Sequence, residues 1–444
     1  MDEYAWVFTT VLLIVGTFLA QVARKKFDPF APLWLFFVGY GQMYVVQALS
    51  YHDWAIQVRG VERVTEANFR AAWALAWLIC TYFWGPGKLL ARVLPSPPTR
   101  WSTLPVKLLC PLLIVWGLVC AGILRRGDAQ SGPASAEAAL FLSFPSVMLV
   151  AGVLLIITGR QASRPRPSYT AMGIATVLLY LLIWMFNGKR SHSLIAVLAG
   201  VCAFYLPRFK RPSFPILIAT AIAGAFAVGI SIGWRYYVNS QGSYGSVAQF
   251  VDFVVTFDPE SILKSINMED GESNSKTVVS RETEEYGGFL MMIDTVPLKS
   301  DFDYGKNYLR IFSTYIPRIV WLDKPVYGRE EWIAAWIAGS ELKRDATFTG
   351  PSIGILGATQ LNGGSLATFV VMGLLGVLLR TSYEFFRRHE GSPWAQAWWT
   401  SIYFNAWLMT VGDDPLTWFY YNYGFTTLPP MIAFWFFNKF GAGE

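Results

Sequence analysis

PSYTAMGIATVLLYLLIWMFNGKRSHSLIAVLAGVCAFYLPRFKR, residues 167–211, decides the fold. Two apolar runs, near 169–187 and 192–207, each approach the ~20 residues a helix needs to cross a bilayer. Between them lies FNGKRSHS, with Lys189 and Arg190 adjacent and His192 two residues on; Arg208, Lys210 and Arg211 follow the second run. Apolar runs punctuated by cations predict helices threaded through lipid, because only a closed hydrogen-bond ladder satisfies the backbone there.

The pattern extends in both directions. Further apolar runs lie near 4–22, 30–50, 68–84, 105–123, 138–158, 214–233, 360–380, 393–411 and 419–437. The chain is 54% hydrophobic and only 15% charged, where soluble domains run closer to a quarter charged. The expectation is an all-α polytopic membrane protein of roughly eleven transmembrane helices. One large extracytoplasmic loop containing short helices would interrupt the series. The domains expected are an N-terminal bundle over 1–233, the loop over 234–358, and C-terminal helices over 359–444. Within the loop, VAQFVDFVVTF (247–257) reads as an amphipathic helix, and MEDGESNSKTVVSRETEE (268–285) as a water-exposed stretch.

Charge sets the expected orientation. Arg24, Lys25 and Lys26 form one basic connection; Lys88, Arg92 and Arg100 a second; Arg160, Arg164 and Arg166 a third. Arg208, Lys210 and Arg211, then Arg380, Arg387 and Arg388, complete the set. Acids concentrate in the alternate connections, at Asp2, Glu3, Asp53, Glu62, Glu66, Asp128, Asp413 and Asp414, with Arg125 and Arg126 running against the pattern in one of them. The positive-inside rule puts the basic set in the cytoplasm, the N-terminus outside and the C-terminus inside. It also accounts for the formal charge of +6 without nucleic acid. Lys189 and Arg190 then lie on the outer face against that bias; snorkelling to headgroup phosphates is the plain explanation, and an anionic ligand the functional one.

Cys80, Cys110, Cys120 and Cys202 fall in or beside apolar runs at no metal-ligand spacing, and His52, His192 and His389 are scattered. No metal and no cofactor are expected, and no GxSxG, HExxH, P-loop or Rossmann fingerprint stands in a suitable context. What does gather on the expected outer face is cationic: Lys189, Arg190, Arg235, Arg310, Arg318 and Lys324. Singly, each reads as a solvated or salt-bridged side chain. Together beside apolar helix ends they suit a diphosphate, whose oxygens take paired guanidinium donors and whose departing charge they stabilise.

DTVPLKSDFDYGKNYLRIFSTYIPRIVWLDKPVYG (294–328) carries a resemblance. Its order of VP, aromatic-Gly turn, short apolar helix, IPR, W and KP resembles the bacterial O-antigen polymerase (Wzy-like) family, also called oligosaccharide repeat-unit polymerases. TGPSIGILGATQLNGGSLATFVVMGLLG (349–376) and the turn NGKRS are similar to segments of the same family. Many relatives carry an acid where this chain has Ala358; if that acid is catalytic in them, its role is absent here or supplied elsewhere.

The resemblance implies a glycosyltransferase on the outer face of the bacterial inner membrane. It would polymerise polyprenyl-diphosphate-linked oligosaccharide repeat units into a surface polysaccharide. Membrane lipid, a flippase and a chain-length regulator are the partners it implies. By matching position the cationic role passes to Arg190, Arg318 and Lys324; Lys189 and Arg235 join by location, and Arg310 either lines the same cavity or pairs with Asp301 or Asp303. An attacking sugar hydroxyl needs a base within hydrogen-bond reach. Glu285, Asp294, Asp303 and His192 are the candidates, each also readable as a loop cap. Tyr304, Trp321 and Tyr327 are candidate sugar-stacking residues. An O-antigen ligase-like transferase and a transporter of lipid-linked glycans remain as alternatives.

Overall fold

A computed structural model describes residues 4–98, 101–126, 146–161, 165–241, 245–258, 285–309, 321, 353–411 and 426–440. Among these residues every regular element is helical. Six stretches are long and apolar enough to cross a membrane: Ala5–Ala23, Leu104–Gly122, Pro167–Phe186, Arg190–Arg208, Phe214–Arg235 and Gly354–Arg388.

The first helices are α1 (Ala5–Ala23) and α2 (Pro32–Gly41), the latter continued by a π-helical turn, Gln42–Gln47. Then come α3 (His52–Arg59), α4 (Val61–Trp84), α5 (Gly87–Val93), α6 (Leu104–Arg126) and α7 (Ser146–Arg160). The quoted stretch forms α8 (Pro167–Phe186) and α9 (Arg190–Tyr205), as its apolar runs predict. The chain continues through α10 (Phe214–Gln241), α11 (Val247–Val255), α12 (Glu285–Thr295), α13 (Gly354–Arg388), α14 (Pro393–Ile402), α15 (Asn405–Val411) and α16 (Leu428–Phe440).

The other expected spans take shorter or interrupted forms. The run near 30–50 is α2 plus its π turn, and that near 393–411 is divided between α14 and α15. The run near 68–84 is the apolar part of α4, whose first half carries Arg63, Glu66 and Arg70. The run near 138–158 is described from Ser146 onward as α7, whose residues 147–159 are all buried. Of the expected loop, α11 forms where the amphipathic pattern lay, started by a capping box between Ser246 and Gln249; 268–284 lie outside the described residues.

Two apolar cores organise the bundle. One joins α2, α4, α12 and α13 through Phe36, Tyr40, Leu75, Phe289 and Leu356. The other joins α7, α8, α9 and α14 through Leu154, Ile156, Trp184, Ala199 and Ala397. In the latter α7 and α8 cross closely, and a Cβ added at Gly173 would stand 2.7 Å from the Ile156 backbone N. Small residues permit such contact where no water-driven force presses helices together.

Three of the basic connections converge on buried Asp28. Its carboxylate accepts from Arg211 Nε at 2.8 Å, from Tyr383 Oη at 2.8 Å and from the Phe30 N–H at 3.0 Å. Arg211 also donates to Glu390 at 2.6 Å, and Arg387 stands 3.5 Å from both acids. Helices α2, α9 and α13 each have one end at this cluster. Their other ends carry Gln47, Arg190 and Gln360, which define the opposite pole of the bundle.

Candidate functional site

The site begins with the turn NGK. Asn187 ends α8; Gly188, at φ +65°, donates its N–H to Met185 O, and Lys189 N–H reaches back to Trp184 O, both at 3.0 Å. This pair of bonds is the Schellman closure, which calls for a left-handed residue and so favours glycine. Helix α10 fixes the turn from the side. Trp234 Nε1 donates to Phe186 O at 2.7 Å, and Ser231 and Ser193 hydroxyls pair at 2.9 Å. A Cβ on Gly188 would lie 2.9 Å from Arg235 Cβ, so the Arg235 stem covers this glycine. Lys189, Arg190 and Arg235 are thus brought to one place by the local fold.

Glu285 meets them there. It opens α12, where the helix N-terminus favours a negative charge, and its side chain is 4% exposed. Arg190 Nη2 stands 3.8 Å from Glu285 Oε1, and Gln47 Nε2 donates to Oε2 at 2.6 Å. The other end of the Gln47 carboxamide accepts the Tyr286 N–H at 3.0 Å. Gln47 is therefore committed at both ends and orients the carboxylate. It lies in a π-helical turn, a departure from regular helix that recurs at functional sites. Tyr286 Oη donates to Asn68 at 2.7 Å; burial pushes its phenol well above the ordinary value, against that hydrogen bond, so it serves as a donor.

The remaining candidates separate from this pair. Asp294, at the far end of α12, is bound by Arg59 at 3.0 Å and Arg63 at 3.6 Å, so its carboxylate is already held as a salt bridge. His192 stacks on Trp184, with centroids 4.2 Å apart, and its Nδ1 pairs with Ser191 at 3.2 Å. It also lines a small cavity of about 30 Å³ with Ser146, Tyr180 and Thr400. Among the described residues it makes no hydrogen bond or ion pair with Glu285. The Asp303 N–H donates to Leu361 O at 2.9 Å. Tyr304 is 75% exposed with its ring edge against Phe302, and Trp321 is partly exposed. Arg310, Arg318, Lys324 and Tyr327 lie outside the described residues. No group of three metal-ligating side chains occurs among the described residues.

A second polar layer, not anticipated from the sequence, backs the site. Arg70, buried in α4, donates to Glu66 at 3.0 Å and to the Gln360 carboxamide oxygen, while Gln360 in turn donates to Val296 O. Gln360 belongs to a buried half-helix, 354–362, that breaks from the rest of α13 at Gly363 and Gly364, the latter at φ +63°. Phe302 covers the break, the Asp303 N–H caps Leu361 O, and the Gly305 N–H donates to Asn362 Oδ1 at 3.0 Å. Ala358, the position that departs from the resemblance, is buried against Met291, Met292 and Val296. The legible signal for this layer was Gln47, Arg70 and Gln360 standing in apolar runs, where polar side chains are expensive without partners.

Compared with protein-family models, with curated proteins and with solved structures, the chain matches none.

Proposed function

We propose that this protein is a membrane glycosyltransferase that polymerises polyprenyl-diphosphate-linked oligosaccharide repeat units on the outer face of a bacterial inner membrane. The observation that carries the reading is the buried Glu285 carboxylate, oriented by Gln47 and 3.8 Å from Arg190, on a turn with Lys189 that the Arg235 stem of α10 covers. It sits at the pole of the bundle away from the Asp28 cluster, which the positive-inside rule assigns to the cytoplasm.

In this mechanism the cations hold the donor's diphosphate. Glu285 accepts the proton of the acceptor hydroxyl as that oxygen attacks the donor's anomeric carbon. The bond from that carbon to the diphosphate oxygen breaks, a glycosidic bond forms, and the lipid diphosphate leaves with its electron pair. Arg190, loosely paired with Glu285 in the resting state, then stabilises the charge that develops on the leaving group.

The test is reconstitution of the purified protein with lipid-diphosphate-linked repeats. A ladder of products is expected from the wild type and none from Arg190→Ala or Glu285→Gln at equal protein level. Full ladders from both variants would sink the proposal. The break in α13 favours a second reading, transport, because interrupted helices build substrate sites in carriers. Movement of the lipid-linked glycan across proteoliposomes without elongation would favour that reading.

A further inference from the structure

An apolar hollow lies away from this site, on the flank of the bundle. It is a groove of about 680 Å³ between α1, α2 with its π turn, and the start of α10. Val15 walls it from α1, Val38 and Val45 from α2 and its π turn, and Leu217 from α10. Val15 and Val38 are 45% and 61% exposed, so the groove opens sideways. Its volume is within the ~300–1,000 Å³ typical of ligand pockets. Gln42 supplies the one carboxamide in its lining. An occupant that fits such walls is a hydrocarbon chain.

The groove's two ends differ in charge. At the Asp28 pole, Phe18, Phe27 and Trp34 close it, with ring centroids 5.3–5.8 Å apart. Immediately beside Phe27 are Arg24, Lys25 and Lys26, all exposed, none with an acidic partner among the described residues. Lys25 stands at φ +54°, donating its N–H to Val22 O while Lys26 N–H reaches Gln21 O. That closure has the same geometry as the one at Gly188, but a lysine fills the glycine position. A side chain there is sterically strained, and such outliers point to a demand on the side chain itself.

We infer that the groove between α1 and α2 binds one chain of an anionic glycerophospholipid, with its phosphate on Arg24, Lys25 and Lys26. The occupant is not the polyprenyl donor of the proposed reaction, whose diphosphate would lie at the opposite pole. The inference therefore stands whether or not that reaction does.

The test uses the full chain in detergent, titrated with phosphatidylglycerol or with phosphatidylcholine of the same acyl chains, bound lipid being counted by native mass spectrometry. One phosphatidylglycerol per chain is expected, preferred by about tenfold or more, since each cation near a headgroup contributes on the order of a fivefold gain. Lys25→Gly is the diagnostic variant. It should raise the melting temperature in lipid-free detergent, by relieving the left-handed lysine, and cut the preference about fivefold. Val45→Trp, which fills the groove, should lose both lipids. Equal binding of the two lipids by the wild type, or an undiminished preference in Lys25→Gly, overturns the assignment. So does displacement of the bound lipid by polyprenyl phosphate, if Lys25→Gly leaves that exchange unchanged.

Discussion

Gly188 shows how one residue gathers the candidate site. Its left-handed backbone closes α8, and the absence of a Cβ lets the Arg235 stem lie across the turn. Gly188→Ala meets both constraints: about 1–2 kcal/mol of left-handed strain, and a contact at 2.9 Å with a Cβ close to the α10 backbone. The expected outcome is a lower melting temperature together with shortened polymer, because Arg190 and Arg235 lose their common footing. An unchanged melting temperature would show that the turn relaxes without cost. Asn187→Ala is the milder control, since it loses only the 2.8 Å bond from Nδ2 to Ile183 O. The cations on this turn could be read in the sequence because they interrupt two apolar runs; the carboxylate that meets them could be read only as one of several acids. What singles out Glu285 is tertiary: a glutamine 238 positions away in sequence turns its carboxamide toward it.

At the scale of an element, α12 carries two candidate carboxylates in opposite states. Glu285 at its start is buried beside cations, whereas Asp294 at its end is tied to Arg59 and Arg63 across α3 and α4. The two are separated by substitution. Asp294→Asn should leave chain elongation intact and lower stability by on the order of 1 kcal/mol, the scale of a partly exposed ion pair; thermal unfolding beside the product ladder measures both. Loss of elongation in that variant with unchanged unfolding would move the base from Glu285 to Asp294. The same elements explain why hydropathy read some helices better than others. α8 and α10 leave much of their apolar length uncovered by other helices, so their sequences declare a candidate span. α4 buries Arg70 against Glu66 and Gln360, and its first half is consequently too polar to stand out. α13 is a single apolar run whose break at Gly364 is stabilised by Phe302, Asp303 and Gly305 from elsewhere in the chain. No window confined to α13 contains those partners.

Across the whole molecule, function depends on which pole faces which compartment. Three of the five basic connections converge: Arg211 and Arg387 meet at Asp28, and α9 runs from Arg190 at one pole to the Arg208–Arg211 corner at the other. Its 16 residues rise about 24 Å, most of the thickness of a hydrocarbon core. Lys189 and Lys210 are exposed at its two ends, and so provide a direct test. With Lys189→Cys and Lys210→Cys made singly, a membrane-impermeant maleimide applied to intact cells should label the first and spare the second until the membrane is permeabilised. The native thiols interfere little, since Cys110, Cys120 and Cys202 are buried and Cys80 only partly accessible. The reverse pattern would put Glu285 and Arg190 in the cytoplasm. There the site would face the compartment in which lipid-linked repeats are built rather than the one in which they are joined. A polymerase would then be excluded even with every contact at the site intact, because the geometry of Gln47, Glu285 and Arg190 is indifferent to direction and the reaction is not.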